Sequence, residues 1–174
     1  MVLHTGEILR SLRRDELDLG LIIYGDHNIP DLVSIPMLTD RVLLGCGNEH
    51  EFASRTTILP EELNGQPFIL RQRGSMMREY YDSLIGTYDI RPKVLWTTSD
   101  ALAQKNAVVT NQGLALLSSC YSEQEVHDHR LHLLEVSGMN FSRRFELAYH
   151  KRKYVYPELR NFISICQDYR KKIE

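Results

Sequence analysis

Twice between Phe68 and Leu117 a short apolar stretch runs into a polar loop and then into a segment whose apolar residues recur every three or four positions. That repeat limits the fold more than any other feature of the chain. The first pass is Phe68-Ile69-Leu70, the loop Arg71-Gln72-Arg73-Gly74-Ser75, and a helix that holds Met77, Tyr80, Tyr81 and Leu84 on one face until Gly86 ends it. The second is the strand Lys93 to Trp96, then a helix capped by Ser99 or Asp100 and running to about Val109. Asn111-Gln112-Gly113 then turns the chain into the apolar run Leu114 to Leu117. Strands alternating with helices of about ten residues predict an α/β fold with largely parallel sheets and right-handed crossovers.

The flanks follow the same grammar. Ile8, Leu9 and Leu12 share a face of a short helix for which Thr5 is available as N-cap. Leu17 to Tyr24 is nearly continuous in apolar residues, which predicts a parallel strand covered on both faces. Val33 to Met37 and Arg41 to Cys46 read as two further strands, and Pro60 sits at an early position of one helical turn. A short polar helix from Ser119 to Val126 and strands at Leu131 to Val136 and Arg144 to His150 come next. In the closing helix Pro157 suits the first turn, and Leu159, Phe162, Ile163 and Cys166 form the expected core stripe.

Several function classes lose their support at this level. Lys and Arg number 21 against 23 Asp and Glu, a net charge of -2, so the chain lacks the positive field that binding to nucleic-acid phosphates requires. Leu19 to Tyr24 is the longest apolar stretch, far below the roughly 18 to 20 residues that span a bilayer, and the first residues carry no export signal. Cys46, Cys120 and Cys166 are widely spaced in apolar contexts and read as free buried thiols of a reducing cytosol.

No nucleotide-cradling or nucleophile-elbow motif occurs, and the acidic pairs Asp15/Glu16 and Glu61/Glu62 fall in turns and caps as solvated charges. His127, His129 and His132 lack the spacing that puts two imidazoles on one helix face, so they read as surface residues, and neither a metal nor a cofactor is expected. No catalytic constellation emerges. His150-Lys151-Arg152-Lys153-Tyr154 is the most basic stretch, but it is too short to anchor a duplex and reads as a loop.

Ligands of such sheets sit beyond the carboxyl ends of the strands, where helix N-termini present free amides. Two loops fit that position: His4-Thr5-Gly6, and Arg71 to Ser75, where two guanidinium groups flank a glycine-serine helix start suited to an anion.

The order of these segments resembles the effector-binding domain of LysR-type transcriptional regulators. Leu9-xx-Leu12-xx-Asp15-Glu16-Leu17-Asp18-Leu19-Gly20 is similar to the family's "L..L..GELDLAI", and Val42 to Glu51 to its "LVLV....HPLA". Leu59 to Leu63 with Pro67-Phe68-Ile69 resembles "L.EL...PFI", Gly74-Ser75-xx-Arg78 a Gly-Ser/Thr-xx-Arg motif, and Val108 to Leu117 "VAAGLGIALLP". Arg144 to Lys151 and Pro157 to Phe162 resemble the closing strand and helix, so the likeness covers essentially the whole chain. Ser118 stands where the family has proline, Asn111 where it has glycine, and Asn48 to Ala53 lacks the proline of "HPLA"; none of these is a functional position.

The resemblance implies a type II periplasmic-binding-protein-like fold of two α/β lobes, with residues 1–40 and 145–174 in lobe one and 41–144 in lobe two. It implies a small-molecule effector held between the lobes. In the family a winged helix-turn-helix, a linker helix and the first strand and helix of lobe one precede the equivalent of Met1, and all are absent here. Lobe one is then expected to have a gap, completed by another chain or left partly disordered. Matched by position, Thr5 faces the effector from one helix start, and Ser75, Met76 and Met77 from another, with Gly74 beside them. Tyr24, Thr98 and Ser99 lie at strand ends near the same mouth. The two helix starts with Arg71 and Arg73 favour an anion, a carboxylate above all. A cytoplasmic homodimer is expected, touching DNA only through the absent domain and touching no membrane. A transporter's solute-binding protein of the same fold is the alternative.

Overall fold

The computed structural model describes residues 5–24 and 29–173. The chain divides into two compact units, Met1–Asp40 with Arg143–Glu174 and Arg41–Ser142. The strand expected near Val2-Leu3 and the turn at Gly25 to Asn28 lie outside the described residues.

In the first unit α1 (Thr5–Arg13) leads to β1 (Gly20–Tyr24), which pairs antiparallel with the end of β8 (Phe141–His150), Leu21 opposite Leu147. β8 in turn lies beside β2 (Leu32–Gly47). Leu9 and Leu12 of α1 bury Ile22, and Leu159 and Ile163 of α5 (Pro157–Ile173) bury Leu147. β1 is therefore covered by α1 on one face only: Leu21, on the other, stays 50% exposed. The expected core stripe of α5 is also narrower in fact. Leu159 and Ile163 are buried and Cys166 half-buried, whereas Phe162, at the edge of that stripe, is 53% exposed.

In the second unit the far half of β2 pairs antiparallel with both β6 (Ala115–Ser118) and β7 (Leu131–Val136), while β3 (Thr57–Ile58) lies parallel to β7. β4 (Pro67–Arg71) and β5 (Lys93–Thr98) form a parallel pair, and Phe68 bridges in parallel to Leu114. Phe68, Leu44, Leu84 and Leu134, none with any exposed surface, centre the main core. α2 (Met76–Tyr88) and α3 (Ala101–Val109) follow β4 and β5, and α4 (Glu123–His127) follows a 3-10 turn at Cys120–Ser122.

The sheets are mixed rather than largely parallel. β4 and β5 pair in parallel, but β2, which carries the chain out of the first unit, runs antiparallel to β6 and β7, and β8, which brings it back, runs antiparallel to β1. β2 is one strand of 16 residues where the polar Thr39-Asp40 step reads as a break, because Asp40 is fully buried and its charge is met by Arg143, Nε to Oδ2 2.7 Å. α2 passes through Gly86 and ends at Asp89, whose φ of 47° closes it. An interior glycine costs about 1 kcal/mol, and Ile85 and Tyr88, packed on the core on both sides of it, outweigh that cost. The cysteines form no disulfide; Cys46 is buried, but Cys120 is exposed on its turn and Cys166 is intermediate.

Candidate functional site

In the second unit the parallel register of β4 and β5 sets Arg71 opposite Thr98, so both strands deliver their carboxyl ends to one place. The Gln72 N–H donates to the Thr98 carbonyl at 2.9 Å, and Arg71 Nη2 donates to the Ser99 carbonyl at 2.6 Å, which ties the two following loops together. Gly74 turns the first loop with φ 84°, a conformation that side chains resist. Ser75 then takes the extended N-cap conformation, φ -88° and ψ 134°, yet its hydroxyl makes no cap hydrogen bond. Its carbonyl accepts from the N–H groups of Arg78 at 2.8 Å and Glu79 at 3.1 Å, leaving the Met76 and Met77 amides at the open end of α2.

The structure thus ties Arg71, Thr98 and Ser99 together at the carboxyl ends of β4 and β5, and the loop through Gly74 leads on to Ser75 and the first amides of α2. The other expected residues of this unit are placed as follows. Met77 packs its side chain into the core beside Tyr81 and Leu84, so only its backbone N–H is available to a ligand. Thr98 Oγ1 already accepts from the Asp100 N–H at 3.0 Å. Arg73 is exposed and, among the described residues, makes no hydrogen bond or ion pair. Met76 is half-buried.

In the first unit Thr5 lies within α1 rather than capping it. Its Oγ1 accepts from the Ile23 N–H at 3.4 Å, which fastens the start of α1 to the end of β1, where Tyr24 pairs with Arg144. Thr5 and Tyr24 therefore share one end of that unit.

Of two residues that hold this region, sequence reasoning offered one as an alternative and passed over the other. Asp100, one of two possible caps, is the one used: Oδ1 accepts from the N–H of Leu102 at 2.8 Å and Ala103 at 3.4 Å. Gln104 is 3% exposed and its Nε2 donates to the Ile69 carbonyl at 2.8 Å, bracing β4 just before Arg71. A glutamine on a short helix carries no signal of burial, and its partner lies 35 residues away. The acidic residues expected as solvated charges have partners as well: Glu62 pairs with Arg55 at 2.5 Å and Asp15 with Lys153 at 2.5 Å. Among the described residues no group of three or more His, Cys, Asp or Glu could hold a metal ion, and no helix is long and apolar enough to cross a membrane.

The family model described as the LysR substrate binding domain matches residues 1–171. The chain is 30% identical over 149 residues to the HTH-type transcriptional regulator CysL of Bacillus subtilis, covering 86% of this chain and 49% of that one. It is 25% identical over 163 residues to the uncharacterized HTH-type transcriptional regulator YeiE of Escherichia coli, covering 94% and 55%. The chain spans about half the length of the curated relatives it matches. Among solved structures, the Synechocystis CcmR regulatory domain in complex with 2-PG superposes with a TM-score of 0.79 at 22% identity, over 98% of this chain and 81% of that one. The effector binding domain of QuiR in complex with shikimate does so with 0.74 at 22%, over 98% and 79%. The regulatory domain of HypT from Salmonella typhimurium reaches 0.81 at 15%, over 99% and 81%.

Proposed function

Because the chain belongs to the LysR substrate binding domain family, we propose that it is the effector-sensing part of a cytoplasmic transcriptional regulator and that a small oxyanion is what it senses. The named relatives are transcriptional regulators, which favours this reading over a transporter's solute-binding protein and over an enzyme. Contact with DNA falls to a helix-turn-helix elsewhere in the full protein.

The observation that carries the ligand chemistry is the hydroxyl of Ser75. It stands at an N-cap without capping, at the open amides of α2, on the loop that follows Arg71, whose guanidinium Ser99 holds. Hydroxyl, amides and guanidinium all donate, so they favour a carboxylate or phosphate over a cation. Gly74, Arg73, Thr98 and the Met76 N–H complete the site proposed in the second unit. In the first unit Thr5 and Tyr24 are the residues proposed to meet an effector. Shikimate and 2-PG, the ligands of two structural neighbours, set the size range of a first panel.

The exposed apolar residues of the second unit support a homodimer. β5 leaves Val94 and Leu95 47% and 42% exposed, and Leu102 of α3 is 48% exposed. A strand with uncovered apolar side chains is an invitation to pairing, and a second copy is the occupant proposed.

Calorimetric titration of the panel, together with cations and neutral apolar compounds, tests the ligand assignment. Saturable binding of an oxyanion, weakened about tenfold or more by Ser75→Ala, is the expected result. Binding of a cation or an apolar compound, unchanged in Ser75→Ala and Arg73→Ala, contradicts it.

A further inference from the structure

The basic stretch at the end of β8 builds a cavity of its own inside the first unit. About 520 Å³ of open space lies between the carboxyl end of α1 and the loop from His150 to Tyr156. It is set against the opposite end of α1 from Thr5, so it is separate from the residues assigned to the effector.

The charges around this space are unequally committed. Lys153 Nζ lies 2.5 Å from a carboxylate oxygen of Asp15 and 2.5 Å from one of Asp18, with only 14% of its side chain exposed. These bonds hold its ammonium well above the ordinary lysine range. Arg13 forms a two-pronged pair with Asp31, Nε to Oδ2 2.7 Å and Nη2 to Oδ1 3.1 Å. Tyr156 donates its hydroxyl to Asp18 at 3.2 Å. The acids near the cavity are thus already engaged by fixed donors.

Three lining groups remain. The guanidinium of Arg152 and the hydroxyl of Tyr154 make no hydrogen bond or ion pair among the described residues, and Tyr154 is 79% exposed. His150 accepts the Arg152 N–H on Nδ1 at 3.2 Å, which assigns the proton of its neutral ring to Nε2 and leaves that nitrogen a donor. Uncommitted donors line the space, while Asp15 and Asp18 share the one ammonium of Lys153.

We propose that this cavity is a second ligand site, for a small oxyanion held by Arg152 with His150 and Tyr154. A planar guanidinium takes a carboxylate or a phosphate through two parallel hydrogen bonds, and the exposed Tyr154 ring offers a face to the rest of such a ligand. A nucleic-acid backbone does not fit this description: it needs many spaced cations, and the neighbouring Lys153 and Arg13 are held by their own carboxylates. The site gives the first unit a means of reading a second anionic metabolite with residues other than Thr5.

Amide and side-chain NMR of the 174-residue chain tests it, with inorganic phosphate in one arm and acetate in the other. Saturable shifts at His150, Arg152 and Tyr154 are expected in both the wild-type chain and Ser75→Ala, whose retention separates this site from the effector site. Arg152→Ala is expected to weaken them about tenfold, with Arg152→Lys recovering part of the loss. A stronger response to phosphate or to acetate identifies which oxyanion the site takes. Shifts confined to residues 74–77, or shifts at 150–154 that Arg152→Ala leaves unchanged, overturn the proposal.

Discussion

Asp40 and Arg143, 103 residues apart, form an ion pair at the two points where the chain leaves the first unit and returns to it. Asp40 is completely buried, Arg143 is 16% exposed, and the guanidinium also lies over the Phe145 ring at 5.0 Å from its centroid. Removing one partner strands the other charge out of water. Asp40→Ala is expected to lower unfolding stability by about 3 kcal/mol, and a loss under 1 kcal/mol in urea denaturation contradicts that role for the pair.

A second buried pair fastens α4 to α3. Lys105 Nζ lies 2.8 Å from Glu125 Oε1, donates to the Tyr121 carbonyl at 2.9 Å and sits 4.2 Å from the centroid of the Tyr121 ring. Burial pushes the Glu125 carboxyl upward, but the hydrogen bond from Lys105, a backbone hydrogen bond and the charges of Lys105 and Arg130 together offset it and hold the group below its ordinary range. Glu125→Leu leaves a buried ammonium and is expected to cost about 3 kcal/mol, whereas Lys105→Met with Glu125→Leu recovers most of it. The four-way thermodynamic cycle checks this: additive losses speak against a coupled pair.

Glu62 gives a pH signature. The Arg55 side chain, and then the Leu59 N–H, bring its carboxyl down to about 2. A depressed folded-state value means that the contribution is fully present above the ordinary glutamate range and disappears as pH falls toward about 2. The stability difference between the wild-type chain and Glu62→Gln is therefore expected to be constant near neutral pH and to vanish on acidification. A difference that grows in acid has the wrong sign.

Burial pushes the Cys46 thiol up to about 11, whereas Cys120 is exposed. Under mild alkylation at pH 8, Cys120 is expected to react first and Cys46 only as the chain unfolds, since the thiolate is the reactive form. Mass spectrometry of the time course reads the order, and early labelling of Cys46 contradicts the buried assignment.

Leu95→Asp tests the apolar edge of β5. Sedimentation equilibrium is expected to show dimer dissociation at least tenfold easier in the variant, and an unchanged association constant removes β5 from the interface.

The local parts of the fold were legible in the sequence. β4, its loop and α2 announce themselves between Pro67 and Tyr88, because strand period, glycine turn and helix period each need only near neighbours. What the sequence concealed depends on distant partners. The Thr39-Asp40 step looks like a break until Arg143 supplies the countercharge. Thr5 looks like a cap until β1 returns Ile23 to its hydroxyl. The candidate site followed the same division: Arg71 to Ser75 could be read as an anion loop, but the burial of Met77 and the brace from Gln104 depend on how helices seat on strands.

The central claim is that an oxyanion meets the chain at the start of α2, and amide NMR during titration with shikimate and 2-PG tests it most directly. The account predicts that the largest ligand-induced shifts fall on Gly74, Ser75, Met76 and Met77, with smaller ones at Thr98 and Ser99, and that Ser75→Ala abolishes or sharply reduces them. Binding of either ligand with those amides unmoved, or with shifts that Ser75→Ala leaves intact, contradicts it.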